Sequence, residues 1–184
     1  MWSIGPCGNR KQSGVAAVEF ALVAMLFFVL LFGIIEMGRL LYVWNTVQEV
    51  TRRAAREAVV TDFSNAAAMA AVKQDALFGA ASLPAAPEVG DLSVQIIYLN
   101  PSRNEIADSD LPTDPADNVE ACADYADNCI AYVEASLQTC PKNGSCSAVQ
   151  YLPMVGLFPF FQLNIPISTV VMPAESMGYN PTTP

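Results

Sequence analysis

A run of sixteen uncharged residues near the N-terminus constrains the fold of this chain more than any other feature. Residues 20–35 read FALVAMLFFVLLFGII, and apolar side chains would cover every face of a helix built from them. At about 1.5 Å of rise per residue the run is roughly 24 Å long, and its apolar flanks extend it to the ~30 Å of a bilayer core. Because no polar stripe is left for water, the run predicts a transmembrane helix over residues 15–38.

The helical pattern continues beyond this run. After Arg39, apolar residues recur every three or four positions and share one stripe of an amphipathic helix: Leu40, Val43, Val47, Val50, Ala54 and Ala58. No proline interrupts residues 15–60, so the pattern predicts a single helix of about 46 residues, ~70 Å long. We expect its first half to lie in lipid. The amphipathic half, residues 39–61, should pack on a domain formed by residues 62–184.

The rest of the chain predicts a small α+β domain. Residues 65–78 indicate a second helix, with Ser64 or Asn65 as its N-cap and Gly79 at its exit. Prolines 84 and 87 indicate a linker. Alternating and β-branched residues predict antiparallel strands at residues 92–99, 130–137 and 167–172.

Two longer segments are less regular. Residues 100–128 are polar and acidic, and they predict a long loop with at most one helical turn. Residues 151–161 are apolar but broken by proline and glycine, which indicates an irregular covering segment or an edge strand. The expected fold class is therefore α+β, with a long N-terminal helix packed on a small antiparallel sheet.

Charge and composition exclude several classes of function. From residue 66 onward there are three basic and thirteen acidic residues, so nucleic acid and anionic lipid would be repelled. The chain has no histidine, which removes Ser-His and Cys-His catalysis and most zinc sites. We therefore expect no enzyme activity, no catalytic residue, no cofactor, no bound metal and no nucleic-acid partner.

Four of the five cysteines lie close together, namely Cys122, Cys129, Cys140 and Cys146. A zinc tetrathiolate usually needs paired CxxC sequences, whereas the gaps here are six, ten and five residues. Two disulfides fit better, and the pairing Cys122–Cys129 with Cys140–Cys146 is favoured because each bond closes a short loop. The other two pairings remain open. Disulfides form on the oxidising side of a membrane, so the domain should be exported and the N-terminus cytoplasmic.

The acidic loop raises one further alternative. Clustered Asp and Asn oxygens could bind calcium, but residues 110–127 lack the spacing of an EF-hand. A solvated loop is the default interpretation. A pair of carboxylates for glycoside cleavage is possible in principle, but nothing in the sequence suggests a sugar cleft.

Glu19 is a lone carboxylate inside apolar sequence, in the run SGVAAVEF. A charge at that depth costs about 2.5–3.5 kcal/mol on insertion scales, so it needs a cationic partner. If the chain is cut after Gly14, the new amine of Val15 lies one helical turn from Glu19. The carboxylate could then pair with its own amine or with that of a neighbouring subunit. The plainer alternative is a Glu near the headgroups with no partner.

The motif from Gly14 through Glu19 to Phe20 resembles the cleavage site of type IV prepilins. The longer run GVAAVEFALVAMLFFVLLFGIIEMGRLLYVWNTVQEVTRRAAREA resembles TadE-like proteins, the minor pilins or pseudopilins of the tight-adherence (Flp) pilus system. GIIEMGR at residues 33–39 and ARE at residues 55–57 are typical of that family, and VVMPAES at residues 170–176 is similar to TadE-type tails. The strong part of the resemblance covers about a quarter of the chain.

This resemblance implies a function and a set of partners. A prepilin peptidase would remove the leader, residues 1–14, by cutting between Gly14 and Val15. The mature subunit would assemble through its N-terminal helix, with Glu19 and Phe20 in the contact, and would meet other pilins, the assembly platform and the lipid bilayer. Phe20 replaces the Tyr typical of the major Flp pilin, and the chain is far longer than that pilin. Both differences favour a minor pilin.

The implied location is the bacterial inner membrane, with a single span and a periplasmic domain, and then the extracellular pilus after assembly. Glu36 and Arg39 can form an i,i+3 pair at the membrane boundary that sets the depth of the helix. A contact with a neighbouring pilin or the platform is the alternative role of this pair. The competing functions are an uncleaved, signal-anchored periplasmic binding or scaffolding module and, less favoured, an exported hydrolase.

Overall fold

The computed structural model describes residues 13–140, 145–154, 156 and 163–181, and it has the predicted α+β fold with a long N-terminal helix. Its elements, in chain order, are α1 (Ser13–Ala58), α2 (Ala66–Ala76), β1 (Ser82–Leu83), β2 (Ala86–Gly90), a 3-10 turn (Asp91–Ser93), β3 (Val94–Leu99), α3 (Pro115–Ala123), β4 (Tyr132–Leu137) and β5 (Thr169–Pro173). Most of the predicted leader lies outside the described residues.

Helix α1 is one continuous helix of 46 residues, as the absence of proline predicts. All six residues of the predicted apolar stripe, from Leu40 to Ala58, are buried. The stripe packs against the sheet and against α2, and it contributes to two apolar clusters. The second half of α1 is therefore the central element of the domain, while the first half extends away from it.

The main sheet has three antiparallel strands in the order β3-β4-β5. Val94 pairs with Leu137 at one end of the β3–β4 ladder, and Ser136 pairs with Thr169 at one end of the β4–β5 ladder. The three predicted strands are thus confirmed, with boundaries shifted by two residues at most. Val94, Val133 and Ala135 are fully buried on the face that packs on α1.

The prediction of a linker at Pro84 and Pro87 is wrong, because both prolines belong to a hairpin of β1 and β2. Pro84 and Ala85 form the turn, and Ala85 has φ 63°. This arrangement resembles a type II turn, in which proline suits the first central position and a positive φ is required at the second. Proline often ends regular structure, whereas here it shapes a turn.

The acidic segment also contains more structure than predicted, because α3 has nine residues and not one turn. Asp114 caps the helix by accepting hydrogen bonds from the backbone N–H groups of Ala116 and Asp117, and Pro115 occupies its first turn. Both are ordinary signals for a helix start. The buried Asn118 accepts a hydrogen bond from the N–H of Ile130 at 2.8 Å and ties α3 to the strand that follows.

Disulfides join Cys122 to Cys129 and Cys140 to Cys146, which is the favoured pairing. The first bond links α3 to the chain that leads into β4. No group of three Cys, Asp or Glu side chains placed to hold a metal occurs among the described residues. In the apolar segment, residues 151–154 are irregular and Tyr151 is fully buried, whereas residues 155 and 157–161 lie outside the described part.

Candidate functional site

The first half of α1 carries large apolar side chains that contact almost nothing else in the protein. Phe20 is 75% exposed and Ile34 is 72% exposed. Among the described residues α1 is the helix that is long and apolar enough to cross a bilayer, and its most apolar stretch is not buried against the protein. A core helix of a soluble protein would be covered at these positions. We call this part of α1, residues 14–35, the bare half, and it is compatible with a membrane anchor.

The predicted processing and assembly residues lie at the tip of this bare half. Gly14, Val15, Glu19 and Phe20 are all exposed. Helix α1 begins at Ser13, so the Gly14–Val15 bond lies in its first turn. Glu19 forms no hydrogen bond or ion pair with any described residue. These roles stay predictions.

The bare half ends at a buried polar cluster, which we call the Arg39 cluster and define as Glu36, Arg39, Glu88 and Tyr151. The Arg39 Nη1 donates to Glu36 Oε1 at 3.0 Å, so the predicted i,i+3 pair is formed. Arg39 Nη2 lies 3.5 Å from Glu88 Oε1 on β2. The Tyr151 hydroxyl donates to Glu36 Oε1 at 2.6 Å. The side chains of Glu36, Arg39 and Glu88 are at most 8% exposed.

Arg39 also holds the backbone of two other segments. Its Nε donates to the Ala85 carbonyl at 2.6 Å, and its Nη1 donates to the Leu152 carbonyl at 2.8 Å. Its guanidinium lies over the Tyr151 ring, 4.6 Å from the centroid. A planar guanidinium can make several directed hydrogen bonds at once. One side chain of α1 therefore holds the hairpin turn and the segment that follows Val149.

The electrostatics of the Arg39 cluster are unbalanced, because two carboxylates share one guanidinium. Burial and then the hydrogen bond to Glu36 raise the pKa of Tyr151 above its ordinary value, so the phenol stays neutral and donates. Glu88 Oε2 is buried with no hydrogen-bond partner among the described residues. Removing the single cation would consequently leave two buried carboxylates without a cationic partner.

Residues 14–56 match the family model described as TadE-like protein. The N-terminal segment of the chain is TadE-like. No curated protein and no solved structure gives a significant match. The match confirms the resemblance carried by the sequence, and it points to a protein associated with a tight-adherence pilus system.

The TadE-like segment includes Glu36 and Arg39, but it ends before β2 and Tyr151. The Arg39 cluster therefore fastens this segment to a domain that the family model does not cover. Sequence reasoning found the local pair and missed Glu88 and Tyr151. Glu88 lies in a proline-rich stretch and Tyr151 in an apolar one. Neither stretch carries a local signal that the side chain contacts Arg39.

Proposed function

We propose that this protein is a minor pilin or pseudopilin of a tight-adherence pilus. In this proposal a prepilin peptidase cuts the Gly14–Val15 bond, the bare half of α1 holds the subunit in the inner membrane, and the domain lies in the periplasm. The same helix then packs among other pilins during assembly, with Glu19 opposite an N-terminal amine. The platform proteins of the system would be its further partners.

The observation that carries the proposal is the position of the TadE-like match on α1. The match begins at Gly14, where the bare half starts, and ends at residue 56, near the end of the helix. One half of α1 is exposed and the other half is buried in the domain. Such a helix can leave the bilayer and pack among other pilin helices while its domain stays folded. The two disulfides support an exported domain, since such bonds persist in oxidising compartments.

Intact mass spectrometry of the membrane-extracted protein tests the cleavage step. Co-expression with an active prepilin peptidase should remove residues 1–14. A Gly14→Ala variant should stay uncleaved, and its fold should be unchanged because a Cβ at Gly14 meets nothing within 4 Å. Retention of the leader in the wild-type protein would favour the uncleaved, signal-anchored module instead.

Pilus assembly in the native host tests the role of Glu19. Glu19→Gln removes the charge but keeps the size, so we expect normal cleavage and membrane insertion with fewer pili. Glu49→Gln is a matched control, because Glu49 lies on the same helix beyond the bare half and forms a half-exposed pair with Arg53. Normal piliation with Glu19→Gln would contradict the pairing role.

A further inference from the structure

A groove runs between α1 and the chain that leads into β5, and no residue of the Arg39 cluster lines it. We call it the α1–β5 groove, and its volume is about 210 Å³. It is lined by Trp44, Val47, Gln48 and Arg52 of α1 and by residues 166–170. Thr51 and Ser168 join the two sides through a hydrogen bond of 2.9 Å between their hydroxyls.

One wall of the groove continues into a free strand edge. β5 is the outermost strand of the main sheet, and no described strand pairs with its outer side. The N–H of Leu137 bonds to the carbonyl of Ser168, and the N–H of Ala174 bonds to the carbonyl of Ala131. Because backbone groups alternate along an antiparallel strand, Thr169 and Val171 direct their N–H and C=O groups outward. Such an edge is a template for another strand.

Pro173 limits the length of this edge, since proline has no N–H to donate. Only the stretch from Thr169 to Val171 offers both donors and acceptors. A strand added here would form few backbone hydrogen bonds. Side-chain contacts in the α1–β5 groove must therefore supply much of the affinity and the specificity.

Two residues of α1 that line the groove bear on its occupant: Arg52 indicates the charge that it carries, and Trp44 can report that it is bound. Arg52 is exposed and forms no ion pair with a described residue, although the surrounding domain is strongly acidic. The indole Nε1 of Trp44 is buried without a hydrogen-bond acceptor among the described residues, which is uncommon for a buried donor. A carboxylate beside Arg52 would supply the ion pair that Arg52 lacks, and the indole of Trp44 lies close enough to the groove to report its occupation.

From these features we infer that the α1–β5 groove binds an extended, acidic segment of another protein. The segment adds to the outer edge of β5 as a short strand and places a carboxylate beside Arg52. Strand addition combines backbone hydrogen bonds with side-chain contacts. Here the edge of β5 offers a few backbone hydrogen bonds, and the α1–β5 groove offers the side-chain contacts. The inference holds for the precursor and the cleaved subunit alike, so its test does not depend on the proposed function.

The test uses the full chain in lipid nanodiscs with Trp2→Phe, so that Trp44 supplies the only indole signal. The probes are the blocked peptides Thr-Val-Glu-Val-Thr and Thr-Val-Gln-Val-Thr, and the readout is the ¹⁵N–¹H resonance of the Trp44 indole. We expect both peptides to shift it and the Glu peptide to bind about two- to fivefold more tightly, as for an exposed ion pair. No shift with either peptide, or equal Kd values, would overturn the inference.

Variants of α1 locate the charge contact. Arg52→Gln should abolish the preference for the Glu peptide, whereas Arg56→Gln should keep it, because Arg56 is also exposed but does not line the groove. Arg52→Glu should favour a Thr-Val-Lys-Val-Thr peptide. A preference for Glu that survives in Arg52→Gln would refute the assignment.

Alternate N-methylation of the Glu peptide tests strand addition without changing the protein. Methyl groups on one alternating set of amides should abolish binding, and methyl groups on the other set should leave it nearly intact. Equal binding by both peptides would rule out a strand. An indole shift that appears on concentrating the protein alone would instead assign the groove to a second copy of this chain.

Discussion

Tyr151 is the uncharged member of the Arg39 cluster, and its hydroxyl is the atom that Glu36 and Arg39 share. It donates to Glu36 at 2.6 Å and accepts from Arg39 at 2.9 Å. A Tyr151→Phe variant keeps the ring over Arg39 but leaves Glu36 with one donor fewer. We expect a loss of about 1–3 kcal/mol in the free energy of unfolding.

Urea unfolding of the full chain in detergent micelles, followed by near-UV circular dichroism, measures this loss. Tyr125→Phe is the control, because Tyr125 is 90% exposed and should change stability by less than ~0.5 kcal/mol. Similar stability of the two variants would mean that Arg39 and the N–H of Met154 hold Glu36 without the phenol.

Glu57 is a partly buried carboxylate near the end of α1. Burial, and then the charge of Asp75, raise the pKa of Glu57 above 4.5, and Arg53 opposes them. Its Oε2 is buried without a partner among the described residues. The folded state therefore binds this proton more tightly than the unfolded state. Its contribution to stability is complete below pH 4.5 and is lost as the pH rises through the folded pKa.

A Glu57→Gln variant should consequently be more stable than the wild type at pH 7 and show no such gain at pH 4. The gain should be a few tenths of a kcal/mol, since Glu57 is partly open to solvent. Thermal unfolding at the two pH values measures it. Glu120→Gln is the control, because it removes an equal charge from the exposed face of α3. An identical gain in stability for this variant would mean that net charge alone causes the gain in Glu57→Gln.

The C-terminal segment packs against the end of α1. The N–H groups of Glu175 and Met177 both bond to the Val59 carbonyl. Gly178 follows with φ 81°, and a Cβ there would lie 2.7 Å from the backbone of Asp62. The close approach of two chain segments therefore requires glycine at this position.

Gly79 provides a matched comparison, because it has φ 73° but a Cβ added to it would meet nothing within 4 Å. Gly79→Ala should lower the free energy of unfolding by about 1 kcal/mol, because alanine is strained in the left-handed conformation. Gly178→Ala should cost at least ~1 kcal/mol more, because the Asp62 backbone must shift. Urea unfolding of both variants checks the difference, and equal losses would contradict the close packing of the tail.

Element prediction succeeded where the signal is local and periodic. The burial of Leu40 to Ala58 and the continuity of α1 follow from spacing and from the lack of proline. The hairpin at Pro84 was missed because its strands are short and a proline between them also suits a linker. Helix α3 was underestimated although Asp114 and Pro115 form a standard start, because the acidic composition suggested a loop.

The candidate site shows the same limit. Glu36 and Arg39 are three residues apart, so helical spacing alone predicted their contact. Glu36 and Tyr151 are 115 residues apart, and their hydrogen bond exists only once the domain has folded onto α1. No periodicity within one element reports on a contact of that kind.

For the whole molecule, the Arg39 cluster marks the change from a bare helix to a packed one. It contacts α1, the β1–β2 hairpin and the chain around Leu152 through a single guanidinium. If the protein assembles into a pilus as proposed, its domain must stay fixed to its helix while the surroundings of the helix change. The Arg39 cluster provides this attachment in the turn of α1 that directly follows the bare half.

Loss of Arg39 should therefore weaken the whole domain. Arg39→Met keeps much of the apolar stem but leaves the buried Glu36 and Glu88 without a cation, so we expect a loss of about 3–5 kcal/mol. Arg53→Met is the matched control, because Arg53 and Glu49 form a pair with side chains 45% and 47% exposed, a class worth roughly 0–1 kcal/mol. Urea unfolding measures both losses, and limited proteolysis should cut the β1–β2 hairpin faster in Arg39→Met alone. Equal losses in the two variants would show that the cluster does not fasten the domain to α1.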